Sequence, residues 1–209
     1  MATFGPDWFL CGGWAVDAWV GRQTRDHQDV DVTVFEEDQL SLFDYLSGWQ
    51  LVAHDQRVAG DTSEPWDGRP LVLPAHIHAR PDGAESPSRL SRPADQGFGL
   101  EILLNERSDG DWILSRGLQY VGVELSSRPQ IAMPLAGCAR LSAWGLPTVV
   151  PEVLLFYKAT AYFDSKGLRP ADEQDFTVLA PHLGKAQRSW LRAAVAQIYP
   201  NHPWLAQLG

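Results

Sequence analysis

The segment 9–35, FLCGGWAVDAWVGRQTRDHQDVDVTVF, constrains the fold of this chain more than any other part of the sequence. A short apolar run that closes at Cys11 is followed at once by Gly12 and Gly13, and then by a largely apolar run that stops at Gly21. This order predicts a strand, a tight turn and a helix. Adjacent glycines at such a turn let backbone N–H groups approach an anion, and the helix N-terminus adds partial positive charge. We therefore expect Gly12 and Gly13 to contact phosphate groups.

After this helix and the segment 21–28, the sequence DVDVTVF predicts a second strand over residues 29–35. Side chains alternate between the two faces of a strand, so Asp29 and Asp31 are expected on one face and the valines on the other. A carboxylate pair beside a phosphate-binding turn is what metal-assisted phosphoryl or nucleotidyl transfer requires. A glycine pair alone is usually only a turn, and two such aspartates alone are usually a solvated strand face. Their order within one short segment favours a site.

The same segment resembles the signature of the nucleotidyltransferase superfamily, and in particular its aminoglycoside and lincosamide nucleotidyltransferase branch. That branch carries Gly-Gly-Trp-x-x-Asp, then Gly-Arg-x-Thr-Arg-x-His, then Asp-x-Asp. Every element is present here, at Gly12, Gly13, Trp14, Asp17, Gly21, Arg22, Thr24, Arg25, His27, Asp29 and Asp31. A second stretch, PEVLLFYKA at 151–159 with LRPADEQDF at 168–176, is similar to the carboxy-terminal helices of the same branch.

The resemblance implies an α/β (α+β) chain with the minimal nucleotidyltransferase fold, a mixed twisted sheet flanked by helices. We expect this catalytic domain over residues 1–148 and a small carboxy-terminal helical region over 149–209. Within that region the sequence predicts three helices, which begin at Pro151, near Pro170 and near Lys185. Earlier in the chain, we expect a surface helix and then a strand within 36–55, and long loops around one or two strands within 56–99.

A third carboxylate is expected from the strand run GLEILLNE at 99–106. An acidic residue inside an apolar strand is costly to bury unless it has a partner, which favours Glu101. Glu106 is the alternative, but it lies at the polar end of the strand, before a turn. The resemblance points the same way, with Glu here where many relatives place Asp. We expect Asp29, Asp31 and Glu101 to be the catalytic and metal-binding residues.

The three carboxylates imply a metal. Two carboxylates about 4 Å apart repel by about 4 kcal/mol at an effective dielectric near 20, so three in one pocket cannot all stay ionised without a cation. Oxygen ligands beside a triphosphate suit Mg²⁺, of which we expect two ions, and Mn²⁺ can substitute. His76 and His78 are expected to be plain strand residues beside the cleft, because the sequence offers them no third ligand at a zinc spacing.

Five residues are expected to bind the nucleotide, with ATP as the co-substrate: Gly12, Gly13, Trp14, Arg25 and Lys158. The resemblance makes Lys158 the contact to the triphosphate, and a lysine on an apolar helix face needs an anionic partner; a lysine snorkelling at the domain edge is the alternative. Arg25 either neutralises the leaving pyrophosphate or pairs with a nearby acid. Asp172 is expected to cap a helix, and Asp175 to cap it or to shape the acceptor side of the cleft.

Composition favours a cytoplasmic enzyme with a small-molecule substrate. The net charge of −9 argues against nucleic acid as a partner and suits a cationic acceptor. No apolar run approaches the ~18 residues that span a membrane, and no signal-peptide pattern opens the sequence. Two cysteines, Cys11 and Cys138, are too few for a disulfide framework.

The function implied by the resemblance is metal-dependent transfer of a nucleoside monophosphate, AMP from ATP, to a hydroxyl of an aminoglycoside- or lincosamide-like molecule. Two alternatives stay open. A toxin-like nucleotidyltransferase would use the same chemistry on a protein or a tRNA, although the acidic balance counts against tRNA. A catalytically silent nucleotide-binding module would keep the fold alone, although the intact set of three acids counts against it.

Overall fold

The computed structural model describes residues 1–55, 62–82, 99–114, 131–161, 163 and 167–209. The strands within these ranges are β1 (Trp8–Leu10), β2 (Val30–Phe35), β3 (Trp49–Asp55), β4 (Thr62–Pro65), β5 (Ala75–Pro81), β6 (Leu100–Ser108), β7 (Asp111–Ile113), β8 (Ala132–Pro134), β9 (Ala139–Leu141) and β10 (Pro147–Val149). The α-helices are α1 (Gly12–Val20), α2 (Gln39–Tyr45), α3 (Leu135–Cys138), α4 (Pro151–Thr160), α5 (Pro170–Leu179) and α6 (Lys185–Ile198). Short 3₁₀ turns lie at Glu36–Asp38, Ala180–His182 and Pro203–Ala206.

The described strands form one mixed sheet in the order β4-β3-β5-β6-β2-β1-β10-β9, and β7 and β8 extend it beyond β6. The pairs β2–β6 and β1–β10 are parallel, and the others are antiparallel. The predicted mixed sheet with flanking helices is therefore confirmed. In the register of β2 and β6, Asp31 lies opposite Glu101, so the central strands bring two of the predicted acids side by side.

The two faces of the sheet carry two separate apolar cores. The first core joins alternate residues of the central strands to α2, with Val32, Val34, Leu42, Ile77, Ile102 and Leu104 among its buried members. The second core lies on the opposite face and joins α1 to α4, α5 and α6, with Ala15, Val16, Val153, Phe156, Leu179 and Leu191 among its buried members. Because α1 and the carboxy-terminal helices share one core, the carboxy-terminal helices are held next to the polar residues of the central strands.

Local sequence signals account for the ends of several helices. α1 ends at Gly21, whose φ of 76° is the left-handed conformation that glycine adopts without strain, and the Gly21 N–H donates to the Asp17 carbonyl. Prolines occupy the first position of α4 and α5, where their missing N–H is not needed. The predicted helix starts at Pro151, Pro170 and Lys185 are confirmed.

The prediction for 36–55 is confirmed, since α2 and β3 occupy that segment. The loops predicted within 56–99 are tested only where the chain is described: β4 and β5 lie there, while 56–61 and 83–98 fall outside the described residues. The sequence did not predict the three-residue strands β7 to β10. Among the helices that the structure describes, none combines the length and apolarity needed to cross a membrane.

Candidate active site

Asp29, Asp31 and Glu101 form a carboxylate cluster at the centre of the sheet. Asp29 directly precedes β2, Asp31 lies in β2, and Glu101 lies opposite it in β6. One carboxylate oxygen from each residue lies within 4.8 Å of the others. Glu106 is five positions further along β6 and belongs to the other face of that strand, opposite Ile113 of β7. The structure thus places Glu101, and not Glu106, beside the two aspartates.

Burial and mutual repulsion disfavour the charged forms of this cluster. Burial raises the pKa of Glu101 to about 8, and the charges of Asp31 and Asp29 add to the effect. Burial and the charge of Asp29 raise the pKa of Asp31 to about 6, and Lys158 offsets only part of the rise. Protonated Glu101 donates a hydrogen bond to Asp31. A divalent cation would supply the missing positive charge, and an oxygen-only donor set suits Mg²⁺ or Mn²⁺.

The glycine pair makes room for the side chains of Asp31, His27 and Arg25. Gly12 has a φ of 64°, and a Cβ at this position would overlap the carboxylate of Asp31. A Cβ on Gly13 would overlap His27 and Arg25, while the Gly13 N–H donates a hydrogen bond to Asp31. The sequence pointed to phosphate contact at these glycines, which stays a prediction. The sequence did not predict that Gly12 lies close to Asp31, or that Gly13 lies close to His27 and Arg25.

A buried network anchors the loop that carries Asp29 to α1. Asp17 of α1 is fully buried and accepts hydrogen bonds from the backbone N–H and the hydroxyl of Thr24. Its other oxygen lies 2.6 Å from Nε2 of His27. The roles of these residues were missed, although a charged residue inside the apolar run AVDAWV was an available signal.

Trp14 lies behind this loop. Its ring contacts those of His27, at 4.6 Å between centroids, and Trp144, at 6.1 Å. Trp14 is not among the described residues that line the cavity at the carboxylate cluster. Its predicted contact with the nucleotide stays a prediction, and the observed packing is against His27.

A cationic wall, formed by Arg25, Lys158 and Arg169, lines the same cavity as the carboxylate cluster. Arg25 donates two hydrogen bonds of 2.9 Å to Asp175, and Nζ of Lys158 lies 2.5 Å from the same carboxylate. Burial alone would raise the pKa of Asp175, but the bonds from Arg25 and Lys158 lower it. Asp175 is thus an anionic partner of Lys158 within the chain, and the predicted contact of Lys158 with the triphosphate stays a prediction. For Arg25, the alternative of pairing with an acid is the one observed.

The prediction that Asp172 caps a helix is also wrong. α5 begins after Arg169, and the side chain of Arg169 makes no capping hydrogen bond. Asp172 lies in the first turn and accepts two hydrogen bonds from the Arg169 guanidinium, at 2.6 and 2.9 Å. Its oxygen also lies 3.8 Å from Nζ of Lys158. Asp172 therefore helps to hold the cationic wall.

The cavity between these groups has a volume of about 530 Å³. Its lining includes both glycines, His27, all three acids of the carboxylate cluster and all three cations of the cationic wall. A pocket lined by both carboxylates and cations can hold a polyanion together with metal ions. Of the predicted site residues, the cavity brings together Gly12, Gly13, Arg25, Asp29, Asp31, Glu101 and Lys158.

His76 and His78 differ from expectation in one respect. The sequence offered them no third ligand, but His54 of β3 lies opposite His76 of β5 in the antiparallel register. Nitrogen atoms of the three rings lie within 4.8 Å of one another. The expectation failed because a cross-strand neighbour is set by strand register, which a local spacing rule cannot detect. We refer to His54, His76 and His78 as the histidine cluster.

The mixed sheet with flanking helices and the carboxylate cluster are what the resemblance to the nucleotidyltransferases predicts. The sequence model of the aminoglycoside-2''-adenylyltransferase family matches residues 2–65, the part of the chain that holds the glycine pair, Asp29 and Asp31. The predicted resemblance to the aminoglycoside and lincosamide nucleotidyltransferase branch is confirmed by this match. None of the curated protein sequences matches the chain.

Several solved structures align with most of the chain. The solution structure of the antibiotic-resistance factor ANT(2'')-Ia is 16% identical, covers 93% of this chain and 84% of its own, and has a TM-score of 0.51. A crystal structure of ANT(2'')-Ia in complex with adenylyl-2''-tobramycin is 18% identical, with coverages of 93% and 88% and a TM-score of 0.49. The lincomycin-bound lincosamide antibiotic adenylyltransferase LnuA is 16% identical, with coverages of 83% and 85% and a TM-score of 0.48. At such identity, the likeness to the first of these structures supports the fold.

Proposed function

We propose that this chain transfers a nucleoside monophosphate, with AMP from ATP as the first candidate, to a hydroxyl group of an aminoglycoside- or lincosamide-like molecule. The observation that carries the proposal is the carboxylate cluster, which shares a cavity of about 530 Å³ with the cationic wall. The family match over residues 2–65 includes two of the three acids of that cluster.

The carboxylate cluster fits a site for divalent metal. Asp29 and Asp31 would hold two Mg²⁺ or Mn²⁺ ions together with the triphosphate, and Glu101 would complete the ligand set. Bound there, the ions would neutralise phosphate charge and polarise the phosphorus that is attacked. As a carboxylate of this cluster, Glu101 would also be able to accept the proton of the attacking hydroxyl.

The triphosphate would lie against the cationic wall. Arg25, Lys158 and Arg169 provide three positive charges, and Asp172 and Asp175 provide two negative ones, so this group keeps one positive charge in excess. The buried carboxylates fix the cations in place, and their remaining N–H groups would bind the leaving pyrophosphate. The backbone of Gly12 and Gly13, at the start of α1, would contact the phosphates from the other side.

The acceptor would be a small cationic molecule with free hydroxyl groups. The net charge of −9 favours such a molecule over an anionic one. Aminoglycosides come first among the candidates because the family that matches residues 2–65 is named for adenylyl transfer to them. Lincosamides follow from the wider branch that the sequence motifs resemble.

Pyrophosphate release tests the proposal. The purified chain is incubated with Mg²⁺, each of the four common nucleoside triphosphates, and a panel of aminoglycosides, lincosamides and other hydroxylated amines. Release is expected with one nucleotide and one class of acceptor, to depend on Mg²⁺, and to be lost in Asp31→Asn. The matched control is Glu106→Gln, which neutralises an acid on the opposite face of β6 and is expected to retain activity.

Two results would contradict the proposal. Equal activity of Asp31→Asn and the unsubstituted chain would exclude the carboxylate cluster as the site. Binding of nucleotide without release for any acceptor, including protein and tRNA, would instead indicate a silent nucleotide-binding module. Mass spectrometry of the acceptor then identifies the product in a positive reaction, because AMP transfer adds one nucleoside monophosphate to it.

A further inference from the structure

The histidine cluster lies on one face of two paired strands. In the antiparallel register of β3 and β5, His54 lies opposite His76, and His78 is two residues further along β5. Cross-strand partners project to the same face, and so do residues two apart in one strand. All three imidazoles therefore project from the same side of the sheet, from backbone segments whose positions are fixed by strand pairing.

The rings are in mutual contact. His54 and His76 are stacked with 4.5 Å between centroids and 6° between planes, and His78 lies 4.3 Å from His54 and 5.0 Å from His76. His76 is only 7% exposed, whereas His54 is half-buried and His78 is exposed. The cluster thus has a buried inner end and an outer side that is open to solvent.

We propose that the histidine cluster is a second metal site, selective for a borderline transition-metal ion such as Zn²⁺, Co²⁺, Ni²⁺ or Cu²⁺. Imidazole nitrogens suit these ions, whereas the oxygen atoms of the carboxylate cluster suit Mg²⁺ or Mn²⁺. Three nitrogen atoms within 4.8 Å of one another can converge on an ion at bond lengths of about 2.0–2.1 Å by side-chain rotation alone. The open side next to His78 leaves a coordination position for water or another ligand.

The proposed site borders the carboxylate cluster but is distinct from it. Nε2 of His76 lies 3.9 Å from Oε1 of Glu101, and His78 is the register partner of Glu101 across β5 and β6. An ion held by the histidines would therefore place positive charge beside Glu101. Neither the proposed nucleotide contacts nor the proposed acceptor chemistry requires this second ion, so the two proposals can fail independently.

Cobalt binding tests this inference directly. The chain, without a histidine tag, is titrated with Co²⁺ alone while the visible d–d absorption is recorded, and Zn²⁺ is then added to displace Co²⁺. We expect one Co²⁺ site with nitrogen ligands. His78→Ala removes an exposed ligand with little risk to folding and should weaken binding by about tenfold or more. His54→Gln should weaken binding similarly, with circular dichroism as the check on folding.

Two controls separate this site from the rest of the molecule. His182→Ala removes an exposed histidine of the turn Ala180–His182 and should leave Co²⁺ affinity unchanged. The double substitution Asp29→Asn with Asp31→Asn neutralises two acids of the carboxylate cluster and should also retain the nitrogen-ligated Co²⁺ spectrum. The inference is overturned if Co²⁺ does not bind, if His78→Ala binds it as well as the unsubstituted chain, or if binding is lost only in the aspartate double variant.

Discussion

The carboxylate cluster and the cationic wall differ in how their buried charge is compensated. In the carboxylate cluster, burial and repulsion raise the pKa of Asp31 and of Glu101, and nearby positive charge offsets only part of the rise. In the cationic wall, Arg25 and Lys158 bind Asp175, and the pKa of that carboxyl is lowered. The cationic wall is therefore stable as folded, whereas the carboxylate cluster gains stability by taking up protons or cations.

Substitutions in the carboxylate cluster and in the cationic wall should therefore have different effects on turnover and on stability. Changes in the carboxylate cluster remove groups whose charge is costly without a ligand, so they should reduce turnover and spare or improve stability. Changes in the cationic wall break ion pairs that already exist, so they should reduce stability. Four substitutions test this contrast, and they follow in order of decreasing expected effect.

Asp31→Asn should lower turnover more than any other substitution, and it should raise stability. Loss of a metal-binding carboxylate should lower kcat on the order of 10²–10³-fold or more. Removal of a buried charge that Asn cannot carry should raise the melting temperature of the metal-free chain. Steady-state pyrophosphate release and thermal unfolding measure the two effects. A variant that loses both activity and stability would contradict the contrast, because Asp31 would then be a structural residue.

Asp175→Ala should have the largest effect on stability. The side chain of Asp175 is fully buried and pairs with both Arg25 and Lys158. Its removal takes away the carboxylate that Arg25 binds and leaves Lys158 with Asp172 alone, at 3.8 Å. Loss of one partner of a buried ion pair costs about 3–5 kcal/mol, and each kcal/mol corresponds to about 2–4 °C for a chain of this size. Urea unfolding measures the change in the free energy of unfolding.

Glu173→Gln is the matched control for Asp175→Ala, because Glu173 is an exposed acid of the same helix. It should change the free energy of unfolding by less than about 1 kcal/mol. Equal effects of the two substitutions would show that the cationic wall does not depend on Asp175. An unchanged urea midpoint for Asp175→Ala would lead to the same conclusion.

Glu101→Gln should change how stability depends on pH. In the folded chain the pKa of Glu101 is about 8, above its ordinary value of 4.5, so the folded state holds this proton more tightly than the unfolded state between these pH values. The stability that the proton bound to Glu101 contributes to the folded state is present at low pH, and it is lost as the pH rises towards 8. The glutamine variant, which cannot lose a proton, should be more stable than the unsubstituted chain by a margin that grows from pH 5 to pH 8.

Melting temperatures of both forms across that pH range, without metal, measure the margin, which should reach several degrees. Mg²⁺ with ATP should shrink it, because the ions bind only the ionised carboxylates of the unsubstituted chain. If the difference in melting temperature between the two forms is the same at every pH, the pKa of Glu101 is not raised. That result would remove the electrostatic argument for a metal at the carboxylate cluster.

The sequence predicts the parts of the site that depend on local pattern. The stop at Gly21, the starts of α4 and α5 at proline, and the strands of Asp31 and Glu101 each follow from a few neighbouring residues. The resemblance to a known branch then indicated that these strands would meet. Their parallel pairing, Asp31 opposite Glu101, is a long-range feature that neither strand pattern encodes alone.

Several of the missed features depend on contacts between distant parts of the chain. Arg25 and Asp175 are 150 residues apart, and only the packing of α5 beside α1 brings them together. His54 faces His76 because of strand register, and short strands such as β7 carry too few residues to show a period. Buried polar pairs of this kind become predictable only once the topology is known.

Of the four test substitutions, Arg25→Lys should have the smallest effect, and it separates two roles of the cationic wall. Lysine keeps the charge but cannot reproduce the two parallel hydrogen bonds that Arg25 donates to Asp175. Because Arg25 is partly exposed, we expect a loss of only about 1 kcal/mol in the free energy of unfolding. If Arg25 also binds the triphosphate, the KM for ATP should rise about tenfold while Mg²⁺ dependence is unchanged. An unchanged KM with the same loss of stability would mean that Arg25 only holds Asp175 in place, and that Lys158 and Arg169 are left to bind the leaving pyrophosphate.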